Sequence, residues 1–410
     1  MTSKHFLAAV TASLLLGAAQ VAVAADAPRS PKITPSVLKN LSAAQTANNK
    51  KDYPAALAAV EAAKAISDRT PYDDLMIHRF AMSVHIGMND YPGADVEAEA
   101  AADVDPSLIP DADKATVYKP ALQLAAMEKH NDKAVKYAKA LQALTPPPDA
   151  ETQGLITRAL FNGGDYAGAT AIAQKNVDAA KAAGKRPDET DLEIILSAQV
   201  KQKDEAGAEA SLEQLVANYD SPEDWNQIMD VALTAKSMRD IDYVYMGRLM
   251  ELQSGKIKPP DAQLVGSAAN SNKLALYGDA EAMQKFGGPA PDPRAVADKN
   301  TLPKQIADGA KNNGEYNVKT AEAAYGYGQY ADAEALARAA KTKPGVKDPT
   351  EPDMVLAMSL MAQGKYADAA PIFDSIKQSN PASARVVRLW GYFAKTKANP
   401  PAAAATAAAK

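Results

Sequence analysis

Gly364-Lys365-Tyr366-Ala367-Asp368-Ala369, with Leu356 and Leu360 before it and Phe373, Ile376 and Pro381 after it, is the stretch that decides how this chain folds. The same order returns, without gaps, four more times. It reads Lys51-Asp52-Tyr53-Pro54-Ala55-Ala56, Asn89-Asp90-Tyr91-Pro92-Gly93-Ala94, Gly164-Asp165-Tyr166-Ala167-Gly168-Ala169 and Gly328-Gln329-Tyr330-Ala331-Asp332-Ala333. Each copy has a turn-type or polar pair, a tyrosine, and an alanine three residues on. Tyr53 to Tyr91 is 38 residues, Tyr91 to Tyr166 is 75 (two steps), and Tyr330 to Tyr366 is 36. Self-similarity at that period is the signature of an array of helical hairpins.

The residue types fit two antiparallel helices joined by a tight turn. Gly or Asn ends the first helix, where the chain must enter a left-handed conformation. The tyrosine opens the second helix, where its ring can wedge into the crook of the hairpin. The alanines Ala56, Ala94, Ala169, Ala333 and Ala369 sit where a longer side chain would force the helices apart. Proline closes the unit, as at Pro106 and Pro381. Helical spacing continues beyond the turn, as in Ala56/Val60/Ala63, Ala94/Ala98/Ala101 and Ala333/Ala337/Ala340.

On these residues the chain resembles the tetratricopeptide repeat, whose units carry this Gly-x-Tyr-x-x-Ala…Ala…Pro pattern. The resemblance covers roughly residues 37–397, with weaker copies at 115–146 (Asn131 in place of the tyrosine), 189–220, 221–253 and a shorter hairpin at 260–286. It implies an all-α fold, an α-α superhelix in the form of a right-handed solenoid of hairpins, with a capping helix at Ser383–Lys395. The whole chain is similar to exported tetratricopeptide proteins of proteobacteria without an assigned activity. The expected layout is a leader at 1–24, an N-terminal array at 37–286, and a loop or hinge with irregular helix at 287–313. A C-terminal pair plus cap follows at 314–397, then a disordered Ala/Pro tail at 398–410.

The leader is read from its order of parts. Lys4 and His5 precede the apolar run from Phe6 to Ala19, and Ala22-Val23-Ala24 supplies the small residues of a cleavage site. The apolar part is broken by Thr11 and Ser13 and is short of the ~20 residues a spanning helix needs. Export to a periplasm, with no integral membrane segment after cleavage, is the expectation; secretion to the medium is its alternative. There is no cysteine, so neither disulfides nor a lipid-modified cysteine can contribute, and stability must come from packed apolar surface. The formal net charge of −5 becomes one unit more negative when Lys4 leaves. Charges of both signs are interspersed, which argues against nucleic acid as a partner.

No pattern in the chain carries catalytic chemistry. Gly326-Tyr327-Gly328-Gln329-Tyr330-Ala331 matches a dinucleotide fingerprint, but a helix pattern precedes it where a strand is required, and it coincides with a repeat turn. Ser254-Gly255-Lys256 lacks the opening glycine and closing Ser or Thr of a phosphate loop. His78 and His85 lie seven apart, about 10 Å along a helix, whereas a metal wants i, i+4. No cofactor or metal is expected, and the chain reads as a non-enzyme.

A binding surface is carried over from the family, whose first helices line a concave groove. The positions are Leu41, Gln45, Asn48 and Asn49; Arg79, Ser83 and Ile86; Lys119, Gln123 and Met127; and Arg158, Phe161 and Asn162. Arg79, Lys119 and Arg158 form either a line suited to acidic side chains or a terminal carboxylate, or an ordinary solvated face of long cations. Met354, Met358 and Met361 form a stripe at i, i+4, i+7 that can be either an adaptable binding face or buried packing. Trp225 and Trp390 read as packing residues. A scaffold for a protein or peptide partner is the leading expectation. A glycan-handling accessory and a superhelical module of a wall-degrading enzyme, lacking its catalytic domain, are the alternatives.

Overall fold

The computed structural model describes residues 32–400. The expected leader at 1–24 and most of the expected tail lie outside the described residues. Among the described residues there are twenty α-helices and no strand. None of these helices is long and apolar enough to cross a membrane. The chain forms two compact units that divide between Asn176 and Val177. In each, helices pack pairwise on their sequence neighbours, the arrangement of an α-α superhelical repeat.

The first unit holds four hairpins: α1 (Pro35–Asn49) with α2 (Tyr53–Lys64), α3 (Pro71–Gly87) with α4 (Tyr91–Ala102), α5 (Asp111–Met127) with α6 (Asn131–Gln142), and α7 (Ala150–Asn162) with α8 (Tyr166–Ala182), whose end belongs to the second unit. All four turns are built alike. A residue two before the second helix has positive φ: Lys51, Asn89, Lys129 and Gly164. The next N–H then reaches back five residues, as Asp52 N to Ala47 O (2.9 Å) and Asp165 N to Leu160 O (2.8 Å). That bond satisfies a carbonyl the first helix would otherwise leave open. Asp52, Asp90 and Asp165 accept from the backbone N–H three residues on, capping the second helix. Ala56, Ala94 and Ala169 are fully buried. The tyrosine rings pack at the mouth of the turn: Tyr166 meets Phe161 edge to face at 5.4 Å. Tyr53 instead reaches the next hairpin, where a Cβ at Gly87 would come within 2.7 Å of its ring.

The second unit contains α9 (Glu189–Gln202), α10 (Glu205–Asn218), α11 (Pro222–Leu233), α12 (Asp240–Ser254), α13 (Pro259–Asn270), α14 (Tyr277–Gln284), α15 (Ala295–Asp308), α16 (Gly314–Gly326), α17 (Tyr330–Ala340), α18 (Glu351–Ala362), α19 (Tyr366–Ser375) and α20 (Pro381–Ala398). Left-handed residues at Lys203, Gly328 and Gly364 repeat the turn already described, and Ala333 and Ala369 are fully buried. A further copy sits at Ala275-Leu276-Tyr277-Gly278-Asp279-Ala280. Ala275 has φ 53°, Tyr277 opens α14, and Ala280 is fully buried.

Residues 287–313 run as a loop followed by helix, and the loop is docked on α13. Pro289 packs on Gly266 of α13, and Asn270 donates to Ala290 O (3.0 Å) and accepts from Asp292 N (3.0 Å). The segment then continues as α15, and α16 meets α14 directly across it. Helix α20 covers the last pair, as a capping helix would, and does more. It packs on α18 and α19 but also returns to α10, α11 and α12. The centre of this unit is unusually apolar: α18 buries every residue from Met354 to Met361, and α12 every residue from Val244 to Met250.

Candidate functional site

The carried-over surface of the first unit is joined across successive first helices. Asn48 Nδ2 of α1 donates to Ser83 Oγ of α3 (3.4 Å). Arg79 Nη2 of α3 donates to Thr116 Oγ1 of α5 (3.2 Å), and its Nη1 approaches Met76 Sδ (3.7 Å). Lys119 Nζ of α5 lies 3.5 Å from Glu151 Oε1 of α7, a carboxylate that is mostly exposed. Arg158 is exposed, and among the described residues no hydrogen bond or ion pair engages its guanidinium; Asn49 is exposed as well. Burial pulls Arg79 below the usual arginine value, while Asp113 and Tyr72 favour its charge. It stays cationic at neutral pH, because an arginine cannot be deprotonated there.

Beside Lys119 opens a cleft of about 540 Å³ between the start of α5 and the loop entering α7. Leu141, Leu144, Pro146 and Pro148 give it an apolar wall; Lys119 and Lys114, the latter paired with Asp111 (2.6 Å), also line it. Asp149 is already engaged there, capping α7 through Thr152 N (2.7 Å). That backbone bond holds its carboxyl below the ordinary aspartate range.

On the second helices α2 and α6, three lysines are paired with carboxylates of a neighbouring hairpin's second helix or its cap. Lys64 meets Glu97 (2.8 Å), Lys133 meets Glu99 (2.6 Å) and Lys139 meets Asp165 (2.9 Å). The described histidines also pair with carboxylates, His78 and His85 from the first helix α3 and His130 from the turn before α6. His78 Nδ1 lies 2.7 Å from Glu97, His85 Nδ1 2.7 Å from Asp90, and His130 Nδ1 2.8 Å from Asp95. Burial raises the Glu97 carboxyl, but the bonds from His78 and Lys64 together hold it below its usual value. His78 and His85 thus serve separate partners. Among the described residues no group of three potential ligands is placed to hold a metal.

The second unit has a buried ionic centre. Arg248 of α12 donates from Nε to Asp279 Oδ1 (2.7 Å) and from Nη2 to Asp279 Oδ2 (2.9 Å), in α14. It also engages Glu322 of α16 through its carboxylate and its backbone carbonyl (3.1 Å for the latter). Tyr245 OH donates to the other Glu322 oxygen (2.8 Å), and the guanidinium lies 4.3 Å from the Tyr325 ring centre. The three charged side chains are 2 to 6% exposed. Burial opposes the Arg248 charge, but Asp279 and Glu322 outweigh it and hold the group well above the usual arginine value. A small cavity of about 210 Å³ adjoins this centre, with Glu251, Tyr325 and Tyr330 on its wall. Burial pushes the Glu251 carboxyl up.

This centre explains the glycines that resemble a dinucleotide fingerprint. A Cβ at Gly326 would lie 2.6 Å from Asp279 Oδ2, and one at Gly278 would lie 2.5 Å from Gly326 C. Gly326 therefore permits close approach of α14 and α16, and Gly328 supplies the left-handed turn at φ 77°. The element before them is α16, a helix. Gly255 of Ser254-Gly255-Lys256 ends α12 in a left-handed cap, so that stretch is a helix terminus.

The structure does not gather all the candidate residues. Met354, Met358 and Met361 are buried in the core of the second unit with Leu356 and Leu360, so they present no binding face, a correction to that option. Phe161 is half-buried against Tyr166 and serves the hairpin turn. Arg248, Asp279, Glu322 and Tyr277 are absent from the sequence reading. The three charges had no local signal, since their contacts span 31 and 74 residues. Tyr277-x-x-Ala280 did carry one, hidden by an alanine at the left-handed position. No protein-family model matches the chain, and no curated protein matches it.

Proposed function

We propose that this chain is an exported, non-catalytic scaffold of the tetratricopeptide type that holds an acidic segment of a protein partner on the first-helix face of its first unit. The observation that carries the reading is the contrast between the two faces. Second-helix lysines are neutralised by short ion pairs. On the first helices Arg158 has no partner among the described residues, Arg79 meets a neutral threonine, and Lys119 has a long contact to an exposed glutamate. Guanidinium and ammonium groups on one set of helices, held by few or weak partners, suit carboxylates, and Arg158 can take one through two parallel bonds. The cleft beside Lys119 would accept an apolar side chain flanking that acid. Glycan handling would favour exposed aromatic rings, whereas Trp225 and Trp390 are fully buried. A periplasmic address rests on the leader read in residues 1–24.

The test is capture from the native cell envelope by crosslinking, followed by binding of the recovered partner to purified variants. Charge reversal with Arg158→Glu should weaken binding by about tenfold or more, roughly one lost charged pair at an interface, with the melting temperature unchanged because the side chain is exposed. Unaltered binding by that variant, or recovery of glycan alone, would remove the proposal.

A further inference from the structure

The C-terminal helix makes contacts that reach far back along the chain. Arg385 of α20 donates to Glu209 Oε2 (2.6 Å) and Glu213 Oε1 (3.1 Å), and Arg388 grips both oxygens of Glu213 at 2.9 Å. Ser383 Oγ donates to Asp242 Oδ2 (2.8 Å), Trp390 Nε1 to Tyr245 O (3.1 Å), and Asn380 Nδ2 to Ser237 O (2.9 Å). Lys397 meets Asp220. These partners belong to α10, α12 and the segments flanking α11, some 140 to 180 residues earlier. Apolar packing follows the same route: Phe393 meets Trp225 of α11 edge to face at 5.6 Å, and Trp390 stacks on Phe373 of α19 at 5.7 Å. Trp225 and Trp390 are the two tryptophans of the chain, and both lie in this seam.

A linear stack of hairpins needs only nearest-neighbour contacts, and its ends behave independently. Here one helix shares a core with the start and the finish of the same unit. Without α20, Trp225, Tyr245 and the inner side of α12 would lose their cover, and Glu209 and Glu213 their counter-charges. We propose that α20 is a clasp: α10, α11 and α12 hold their native packing only while it is docked, so the second unit completes its fold after the C-terminal helix is available. A chain whose closing segment comes last stays loosely packed until then. On the export reading above, that is the state in which it would cross a membrane. The clasp itself does not depend on that reading.

The experiment uses the purified full-length chain and amide hydrogen exchange resolved by segment, with tryptophan emission as a second readout. Arg385→Glu with Arg388→Glu sets like charges against Glu209 and Glu213. Exchange across residues 205–254 should rise by about tenfold or more, as expected when docking limits local opening, with a red shift of emission and no change in α1–α6. Adding Glu209→Arg and Glu213→Arg should restore protection by reversing the sense of the pairs. If the double reversal prevents folding, Arg388→Gln alone should give a smaller rise over the same residues. A rise confined to α19 and α20, with residues 205–254 protected as in the parent, overturns the clasp.

Discussion

Arg248 holds both carboxylate oxygens of Asp279, 31 residues further along the chain, at 2.7 and 2.9 Å in a site closed to solvent. The same guanidinium reaches Glu322, so one side chain joins α12, α14 and α16. A buried ion pair is a poor source of net stability compared with apolar packing, but removing one partner strands the others.

Arg248→Ala should therefore cost about 3–5 kcal/mol, the range for an orphaned buried charge. Replacing Arg248, Asp279 and Glu322 together by apolar residues of similar volume should cost much less. Urea unfolding of both variants checks this, and equal losses in the two would contradict it.

Glu334 predicts an acid limb. It accepts from Lys365 (2.8 Å), Arg338 (2.9 Å) and Gln363 (2.9 Å), linking α17 to the turn between α18 and α19. The Lys365 bond, with those from Arg338 and Gln363, lowers its carboxyl from 4.5 to about 2. The folded value lies below the unfolded one, so the contribution is complete above pH 4.5 and is lost as pH falls toward 2. The stability gap between the parent and Glu334→Gln should shrink across that window. Denaturant midpoints at pH 7, 4 and 3 measure it, and a constant gap would refute the assignment.

Gly278→Ala should destabilise the second unit by about 1–3 kcal/mol, the usual cost of overpacking. The new methyl would press on the backbone of Gly326 at 2.5 Å, and backbone yields less readily than a side chain. Gly154→Ala is the control, since nothing lies within 4 Å of its added carbon. Thermal melts of the pair should separate clearly.

Met358→Ala should cost about 2–5 kcal/mol, the range for emptying a core site, because the side chain is fully buried. Binding of any captured partner should be unaffected once the variant is folded. A variant of parental stability with impaired binding would return the methionine stripe to the surface.

What the sequence could disclose was whatever is decided within a few residues. Tyr366 and Ala369 announce a hairpin because the turn, its cap and the close approach of its helices are local matters. The weaker copy at 189–220 is legible for the same reason, and its turn closes with Asp204 capping α10 through Gly207 N (3.0 Å). Tyr277 escaped because its turn runs through Ala275 after a longer excursion. Residues 289–293 look like a hinge in one dimension, since prolines end helices wherever they stand. Their docking on α13 depends on Gly266 and Asn270 from an earlier element. Arg79, Lys119 and Arg158 could be placed on first helices from the repeat alone. Which of them would remain unpaired could not, because Thr116 and Glu151 come from the following hairpins.

The left-handed turn position is filled by lysine at 51, 129 and 203, asparagine at 89, alanine at 275 and glycine elsewhere. Any of these residues closes the same hairpin, the non-glycines at a strain of about 1–2 kcal/mol that the rest of the hairpin offsets. Substitutions there can accumulate one turn at a time without undoing the architecture. A protein made this way can drift until its repeats are unrecognisable as text while every hairpin still closes.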